Sequence, residues 1–509
     1  MKKKRLAINM AANLIAFVIQ IGVGFFLTPY LVNNLGREAY SFFPLANSFI
    51  AYAGILTTAL NSMAGRFITI KIQQSDHEGA NVYFNSVLTG NTVIALFLSI
   101  PAVLMVTFLD FFLNVPQEIL GEVQSLFAII FAGSLFGILT SVFGVATFAR
   151  NRLDLSSLSS VGANILRVMF LIFLFYFFRP SISYIGIANF VAIAFVGFTN
   201  FRYTKAFLPE IKIHRKYYNI NAIKELVSSG IWNSINQLSL VLMSGLDILI
   251  ANIFIGASAT GEYAIAKSMP MFLQSFVRVL VGVFVPELTI LYAQDKKDEF
   301  RVAMDKSMKF LQIMMTIPLG FLMVYGDSFF DLWVPGQNSS KLFLFSSLTI
   351  IPMVVSTSIE TIFHAYTITN KLKIPALALL VTGIINTLIT LILLKYTTIG
   401  LLVIPLVSLA TSILEHLTFT SIYAARILNY KWNTFHQSIF HGVSNFLLVI
   451  LICWITKQVF VPDSWITFFA IFTLCGLFSL ALNAFFTLNK EERRVFLGLF
   501  RSLIKKFGK

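Results

Sequence analysis

The chain is poor in charge: only 12% of its 509 residues are Asp, Glu, Lys or Arg, about half the share in a soluble globular protein. Its longest mainly polar stretch, 202–224, is too short to enclose a core, so no segment reads as a soluble domain. Cysteine is nearly absent. Cys453 and Cys475 lie inside apolar segments without a CxxC partner and read as small residues facing core or lipid. There is no P-loop for nucleotide hydrolysis and no HExxH. Glu360 and His364 are spaced to share a helix face, but two residues do not make a metal site. No catalytic residue, metal ligand or cofactor is expected, and the chain does not read as an enzyme.

What is abundant is apolar length. The chain is 57% hydrophobic with a mean hydropathy of +0.81, too apolar to cover itself with polar surface, so lipid must be its solvent. A spanning helix needs about 20 mostly apolar residues. Fourteen such runs are expected, at 6–31, 43–69, 83–109, 123–148, 156–178, 183–201, 228–254, 263–291, 308–326, 342–368, 376–395, 400–425, 439–460 and 466–488. The fold class is therefore an all-α polytopic membrane protein with about 14 transmembrane helices.

The net charge of +15 does not point to nucleic acid, because the basic residues sit in short gaps between apolar runs and not along one face. Of the 38 Lys and Arg residues, thirty fall in one alternate set of gaps that includes both termini, and five in the opposite set. That bias predicts cytoplasmic N- and C-termini. The start, Met1-Lys2-Lys3-Lys4-Arg5 before a long apolar run, reads as an uncleaved first helix. The tail places Phe496, Leu499, Phe500, Leu503, Ile504 and Phe507 at helical spacing among Arg494, Arg501, Lys505 and Lys506, the pattern of a basic amphipathic helix lying on an anionic leaflet.

A short pattern recurs. Asn151-Arg152-Leu153-Asp154-Leu155 and Asn370-Lys371-Leu372-Lys373-Ile374 each separate two apolar runs. At nearly the same offset, Gln74 matches Gln294, and the Leu35-Gly36…Tyr40 turn matches Ile255-Gly256…Tyr263. The repeat predicts two pseudo-symmetric six-helix lobes around a central cavity, 1–201 and 228–425, joined by a cytoplasmic linker, 202–227. Two additional transmembrane helices follow within 426–489, then the cytoplasmic tail, 490–509.

The residues able to carry chemistry are charges inside the apolar runs. Arg167 and Arg278 fall midway along theirs, Lys267 near one end of its run, and Arg66 near the cytoplasmic end of 43–69. Asp247, Glu360 and the Glu415-His416 pair are the intramembrane acids, with His364 one turn from Glu360. A lipid-facing charge at the bilayer centre costs about 2.5–3.5 kcal/mol, so seven would cost on the order of 20 kcal/mol uncompensated, more than a typical folding free energy. They must face one another, water or a ligand. Two readings follow. The cations Arg278, Arg167, Lys267 and Arg66 hold an anionic substrate while Asp247, Glu360, Glu415 and His364 couple ions; or the charges pair internally, as Arg278 would with Asp247. Amides on 6–31 (Asn9, Asn13, Gln20) and on 228–254 (Asn233, Asn236, Gln237) mark either a hydrated seam or interhelical hydrogen bonds.

Several local sequences resemble a known family. They are Arg66-Phe67, Ala149-Arg150-Asn151-Arg152, Asp247-Ile248 followed by Ile255-Gly256 and Gly261-Glu262-Tyr263, Val285-Pro286, and Leu332-Trp333-Val334-Pro335-Gly336. With fourteen expected helices, the whole chain resembles the MOP flippase superfamily, and within it the flippases for O-antigen, capsule or teichoic-acid repeat units. The resemblance implies a transporter of the bacterial cytoplasmic membrane, working by alternating access. Its implied cargo is an undecaprenyl-type lipid-linked oligosaccharide whose pyrophosphate is held by cavity cations. Membrane lipids, H+ or Na+ as coupling ion, and contact with polysaccharide-assembly proteins complete the implied partners. Two alternatives stand beside it: a cation-coupled multidrug exporter of the same superfamily, and a membrane-embedded glycan polymerase or transferase.

Overall fold

The computed structural model describes residues 2–494, and among them every regular element is helical. Twelve helices are long and apolar enough to cross a bilayer, and a thirteenth span combines Ile220–Gly245 with Asp247–Phe254 across a 43° bend. The first of the twelve, Ile8–Gln73, runs 66 residues, about three times the length a span needs. Its helix, α1 (Lys2–Gln73), is interrupted at Gly36, where φ 81° and ψ 160° lie outside helical geometry. Only glycine adopts this conformation without strain. Each arm is by itself long enough to be a span, and the fourteen expected runs fall on mainly helical segments. The sequence reading placed a loop between 31 and 43; the chain turns instead at this one glycine.

The remaining helices used below are α2 (His77–Thr107), α3 (Leu120–Thr140), α4 (Leu153–Phe177), α5 (Ser183–Phe207), α6 (Ile220–Leu240), α7 (Asp247–Phe254) and α8 (Ala257–Gly282). They continue as α9 (Val285–Ala293), α10 (Lys297–Trp333), α11 (Ser339–Ile359), α12 (Thr361–Ile368), α13 (Lys373–Tyr396) and α14 (Val403–Glu415). The last three are α15 (Ser421–Ile427), α16 (Thr434–Lys457) and α17 (Trp465–Thr487).

Two compact units are present, Met1–Ala264 with Ala376–Ile404, and Ile265–Pro375 with Pro405–Lys509. Each has its own apolar cluster. In the first unit Ile68, Phe84 and Ala146 are fully buried together; in the second Leu288, Met304 and Ala365 are. Ile68 and Leu288, Phe84 and Met304, and Ala146 and Ala365 stand at the spacing of the sequence repeat.

The backbone repeats as well. Ser75 (φ 58°), Asn151 (φ 51°), Asp295 (φ 53°) and Asn370 (φ 55°) adopt the left-handed conformation just past a helix end. At Asn151 its N–H reaches Phe148 O at 3.0 Å and the next N–H reaches Thr147 O at 2.7 Å. The same pair of bonds recurs at Asn370 (Thr367 O 3.1 Å, Tyr366 O 2.9 Å), Ser75 (Ile72 O 3.1 Å, Lys71 O 2.9 Å) and Asp295 (Tyr292 O 3.0 Å, Leu291 O 3.0 Å). This is the Schellman cap, and Asn or Asp tolerates its left-handed residue because a short polar side chain pairs locally. The pentapeptides that repeat in sequence are therefore helix terminators.

In the first unit, small residues let helices approach closely. A Cβ on Gly230 of α6 would lie 2.0 Å from Ala59 O of α1, and one on Gly261 of α8 would lie 2.3 Å from Arg37 O. The interhelical linker, shorter than expected, runs from 208 to 219 and contains a 3-10 turn at Arg215–Tyr217. It is held by two asparagines one turn apart on α2. Asn81 donates to Glu210 O at 3.0 Å and accepts from Lys212 N at 2.6 Å; Asn85 donates to Lys212 O at 2.9 Å and accepts from His214 N at 2.9 Å. In the second unit, helix α10 starts at Lys297, eleven residues before the run expected at 308–326. Of the tail, residues 490–494 are helical and Glu492 accepts from Lys309 at 3.2 Å; the expected amphipathic stretch beyond 494 lies outside the described residues.

Gly230→Ala is expected to push α6 off α1 and cost about 1–3 kcal/mol, typical of an overpacked contact. Gly22→Ala, with no atom within 4 Å of its Cβ, is the control. Thermal unfolding in detergent should show a lowered midpoint for the first and none for the second.

Candidate functional site

The intramembrane acids gather at places where the α-helix is interrupted. In the first unit, Val241–Gly245 is wound as a π-helix, and Asp247 is the first residue of the α-helix that follows. Its side chain is buried and accepts a hydrogen bond from Tyr263 Oη at 3.1 Å. A π-turn frees a carbonyl from the normal ladder, and Tyr52 Oη donates to Gly245 O at 2.8 Å to satisfy it.

The second unit repeats the device. His416–Thr420 is π-helical, preceded by buried Glu415. Thr420 Oγ1 donates to Glu415 Oε1 at 2.5 Å, and His416 Nδ1 lies 2.6 Å from Glu415 Oε2. That second contact is an ion-pair distance without hydrogen-bond alignment, so neither atom is satisfied by it. The freed carbonyls again find side chains: Tyr366 Oη donates to Thr420 O at 3.0 Å, Ser421 Oγ to His416 O at 2.8 Å, and His436 Nε2 to Leu417 O at 2.7 Å.

Glu360 is half-buried at the break between α11 and α12, within electrostatic reach of His416 and Arg278. The structure thus brings Glu360, Glu415, His416 and Arg278 into one cluster. Arg278 is exposed and donates to Ser275 Oγ at 3.2 Å. His364, half-buried on α12, makes no hydrogen bond or ion pair among the described residues. Lys267 is half-buried, the eleventh of the 26 residues of α8.

The other cations belong to the first unit. Arg167 is half-buried, midway along the 25 residues of α4, and its Nε is buried without a hydrogen-bond partner among the described residues. Arg66 is exposed near the end of α1 and has no ion pair among the described residues. The amide stripes prove to be interhelical hydrogen bonds where they are paired: Asn9 donates to Asn151 Oδ1 at 3.0 Å, Asn13 accepts from Ser157, and Asn233 donates to Ser62 Oγ at 3.1 Å.

Three features escaped the sequence reading. Arg37 pairs with buried Glu262 at 2.9 Å. Asn114 and Asn252 exchange backbone and side-chain hydrogen bonds at 2.6–3.3 Å. Tyr52 and Tyr366 cap the π-turns. The tyrosines carried a signal: in a chain with 53 Phe and 16 Tyr, a hydroxyl retained inside an apolar run needs a partner.

Tyr52→Phe and Tyr366→Phe are each expected to leave one π-turn carbonyl unpaired, at about 1 kcal/mol, since hydrogen bonds between membrane helices average about 0.6 and reach about 1.7 kcal/mol. The two lie in different units, so the double variant should lose the sum. Unfolding of all three variants in detergent checks this.

The chain matches the polysaccharide biosynthesis protein family over residues 6–291. It is 29% identical over 501 residues to the "Uncharacterized membrane protein EpsK" of Bacillus subtilis (strain 168), covering 98% of each chain. Among solved structures it is similar to the lipid II flippase MurJ in an inward closed conformation, with a TM-score of 0.62, 15% identity and coverage of 94% of this chain and 98% of that one. It is also similar to an inward-facing multidrug resistance MATE family transporter of the MOP superfamily, with a TM-score of 0.59, 15% identity and coverage of 84% and 97%. These two likenesses establish a shared fold. With more than half its length matched, the chain belongs to the polysaccharide biosynthesis protein family, as a multi-pass membrane protein with the MOP transporter fold.

Proposed function

We propose that the protein moves a lipid-(pyro)phosphate-linked oligosaccharide precursor of a cell-surface polysaccharide across the bacterial cytoplasmic membrane by alternating access. The observation that carries this reading is Arg167. It stands midway along an apolar helix of spanning length, with Nε buried and unpaired among the described residues. An arginine there is costly without a partner, and a phosphate oxygen is the partner its planar fork fits best. A pyrophosphate cannot cross hydrocarbon unaided, so a cation along the path supplies what the cargo needs. Family membership in polysaccharide biosynthesis supports a glycan on that lipid.

Arg278, Lys267 and Arg66 are the further cations assigned to the cargo's charged head. Glu360, Glu415 and His416 form the cluster suited to bind and release a coupling H+ or Na+, because two carboxylates share one neighbourhood with an imidazole. Asp247 and His364 are secondary coupling positions. These buried acids also favour a second reading, export of organic cations in exchange for an ion, which an acidic site would attract. Arg167 favours the first reading, since a cation there would repel a cationic cargo. A polymerase or transferase has less support, because the longest non-α-helical stretch between described spans is only 208–219.

Arg167→Ala with Arg278→Ala, in a strain that depends on this gene, is expected to cut surface polymer about tenfold or more. The loss of one or two charge-assisted hydrogen bonds has that size. Lipid-linked intermediate should accumulate on the inner leaflet. Unchanged polymer at normal protein level would remove both arginines from the cargo path.

A further inference from the structure

An apolar groove of about 580 Å3 opens in the first unit between the second arm of α1, α2 and α6. Leu60, Gly90 and Ile223 are among its lining residues; a Cβ on Gly90 would lie 2.7 Å from Leu60 Cδ2, so Leu60 packs against bare backbone there. Leu56, Val93 and Ile231 form its rim and are 49%, 60% and 39% exposed. The hydroxyl of Ser234, also in the lining, is already donated to Ile55 O at 2.7 Å. The volume lies in the range of ordinary ligand sites, about 300–1,000 Å3, and its walls suit an apolar occupant.

Length and charge identify that occupant. One face of α6 lines the groove from Ile220 to Leu238, about eighteen residues or about 27 Å of helix. That is close to the whole hydrocarbon thickness of about 30 Å. A phospholipid acyl chain ends near the midplane, about half that depth, so a groove of this length fits a longer chain. At the Ile220 end, Tyr218 joins the lining beside the turn Arg215–Tyr217. Arg215, Lys216 and Lys224 are exposed there and carry no ion pair among the described residues. Their backbone is fixed: Ser86 and Asn219 exchange hydrogen bonds at 3.0 and 3.2 Å just before α6 begins. A slot for a long chain that ends at a cluster of anchored cations recognises an anionic lipid by both its parts.

We propose that this groove holds the polyprenyl chain of a lipid phosphate, with the phosphate resting on Arg215, Lys216 and Lys224. The inference rests on the reading that the cargo is lipid-linked, and gives the carrier a first docking place, where its chain and phosphate are held before the head reaches Arg167, Arg278, Lys267 and Arg66. Exposed rim residues allow the long chain to enter sideways from the bilayer, and the anchored linker sets the depth at which its phosphate stops.

The test uses the full chain in phosphatidylcholine nanodiscs with a diazirine-bearing polyprenyl phosphate, and a diazirine-bearing phosphatidylglycerol in parallel. Polyprenyl labelling should map by mass spectrometry to the groove, and unlabelled polyprenyl phosphate should displace it. Val93→Trp with Ile231→Trp should reduce it about tenfold, the scale of blocking one side of a small-ligand pocket. Arg215→Ala with Lys216→Ala and Lys224→Ala should weaken labelling by the phosphate and leave that by the uncharged polyprenol unchanged. Phosphatidylglycerol labelling the groove equally and resisting displacement would overturn the proposal in favour of ordinary membrane lipid. If the double tryptophan variant fails to fold, the single Val93→Trp, at the most exposed rim position of the three, carries the same test. Groove labelling together with unchanged polymer in the Arg167/Arg278 variant would keep the groove while taking from the transport reading the arginine that carries it. Lost polymer in that variant without groove labelling would do the reverse.

Discussion

Every feature of this structure follows from one constraint: inside a bilayer no water is available to satisfy a backbone N–H or C=O. An unbroken helix meets that constraint by itself, and wherever this chain departs from one, a named group takes over. Gly36 turns α1 through a conformation that only glycine adopts freely. The left-handed caps at Ser75, Asn151, Asp295 and Asn370 close the last carbonyls with backbone bonds. The two π-turns leave carbonyls that Tyr52 and Tyr366 satisfy from other helices. The linker is paired by Asn81 and Asn85, which act as a side-chain substitute for a neighbouring strand.

These interruptions are also where the chemistry collects. Asp247 follows one π-turn and Glu415 precedes the other, while Glu360 occupies the break between α11 and α12. A carboxylate needs donors, and a disturbed helix offers hydroxyls and an altered side-chain direction that a regular turn does not. Tyr263 serves Asp247 and Thr420 serves Glu415 on this principle. Arg167 differs from them, since it stands on an uninterrupted helix with its Nε unpaired among the described residues. Asp247 is thus served within its own unit, whereas Glu415 Oε2 and Arg167 Nε are buried without a hydrogen-bond partner among the described residues.

The fourteen helical runs were legible because the bilayer imposes a length and a polarity on every span, and both can be read directly from composition. The repeat was legible because helix ends need special residues: the asparagines at 151 and 370 recur since the left-handed cap excludes most others. The loop expected after 31 was misjudged because one glycine suffices to turn the chain, and nothing in a polar-looking segment shows how few residues the turn will use. The helical start of α10 at Lys297 was missed for a related reason, since a helix that extends beyond the lipid needs no apolar run.

The sequence by itself determined the solvent, the helical runs, the spacing of the repeat and the buried acids Asp247 and Glu415, because each depends on local composition or on a single residue's backbone preference. Only the tertiary structure decided which charges meet. It joined Glu360 to His416 and Arg278, paired Arg37 with Glu262, sent Tyr52 to Gly245, and opened a groove at Gly90. Those outcomes depend on the rotation of each helix about its axis and on how closely its neighbours approach. These are set by the packing of many side chains at once, and no one segment of sequence contains that information.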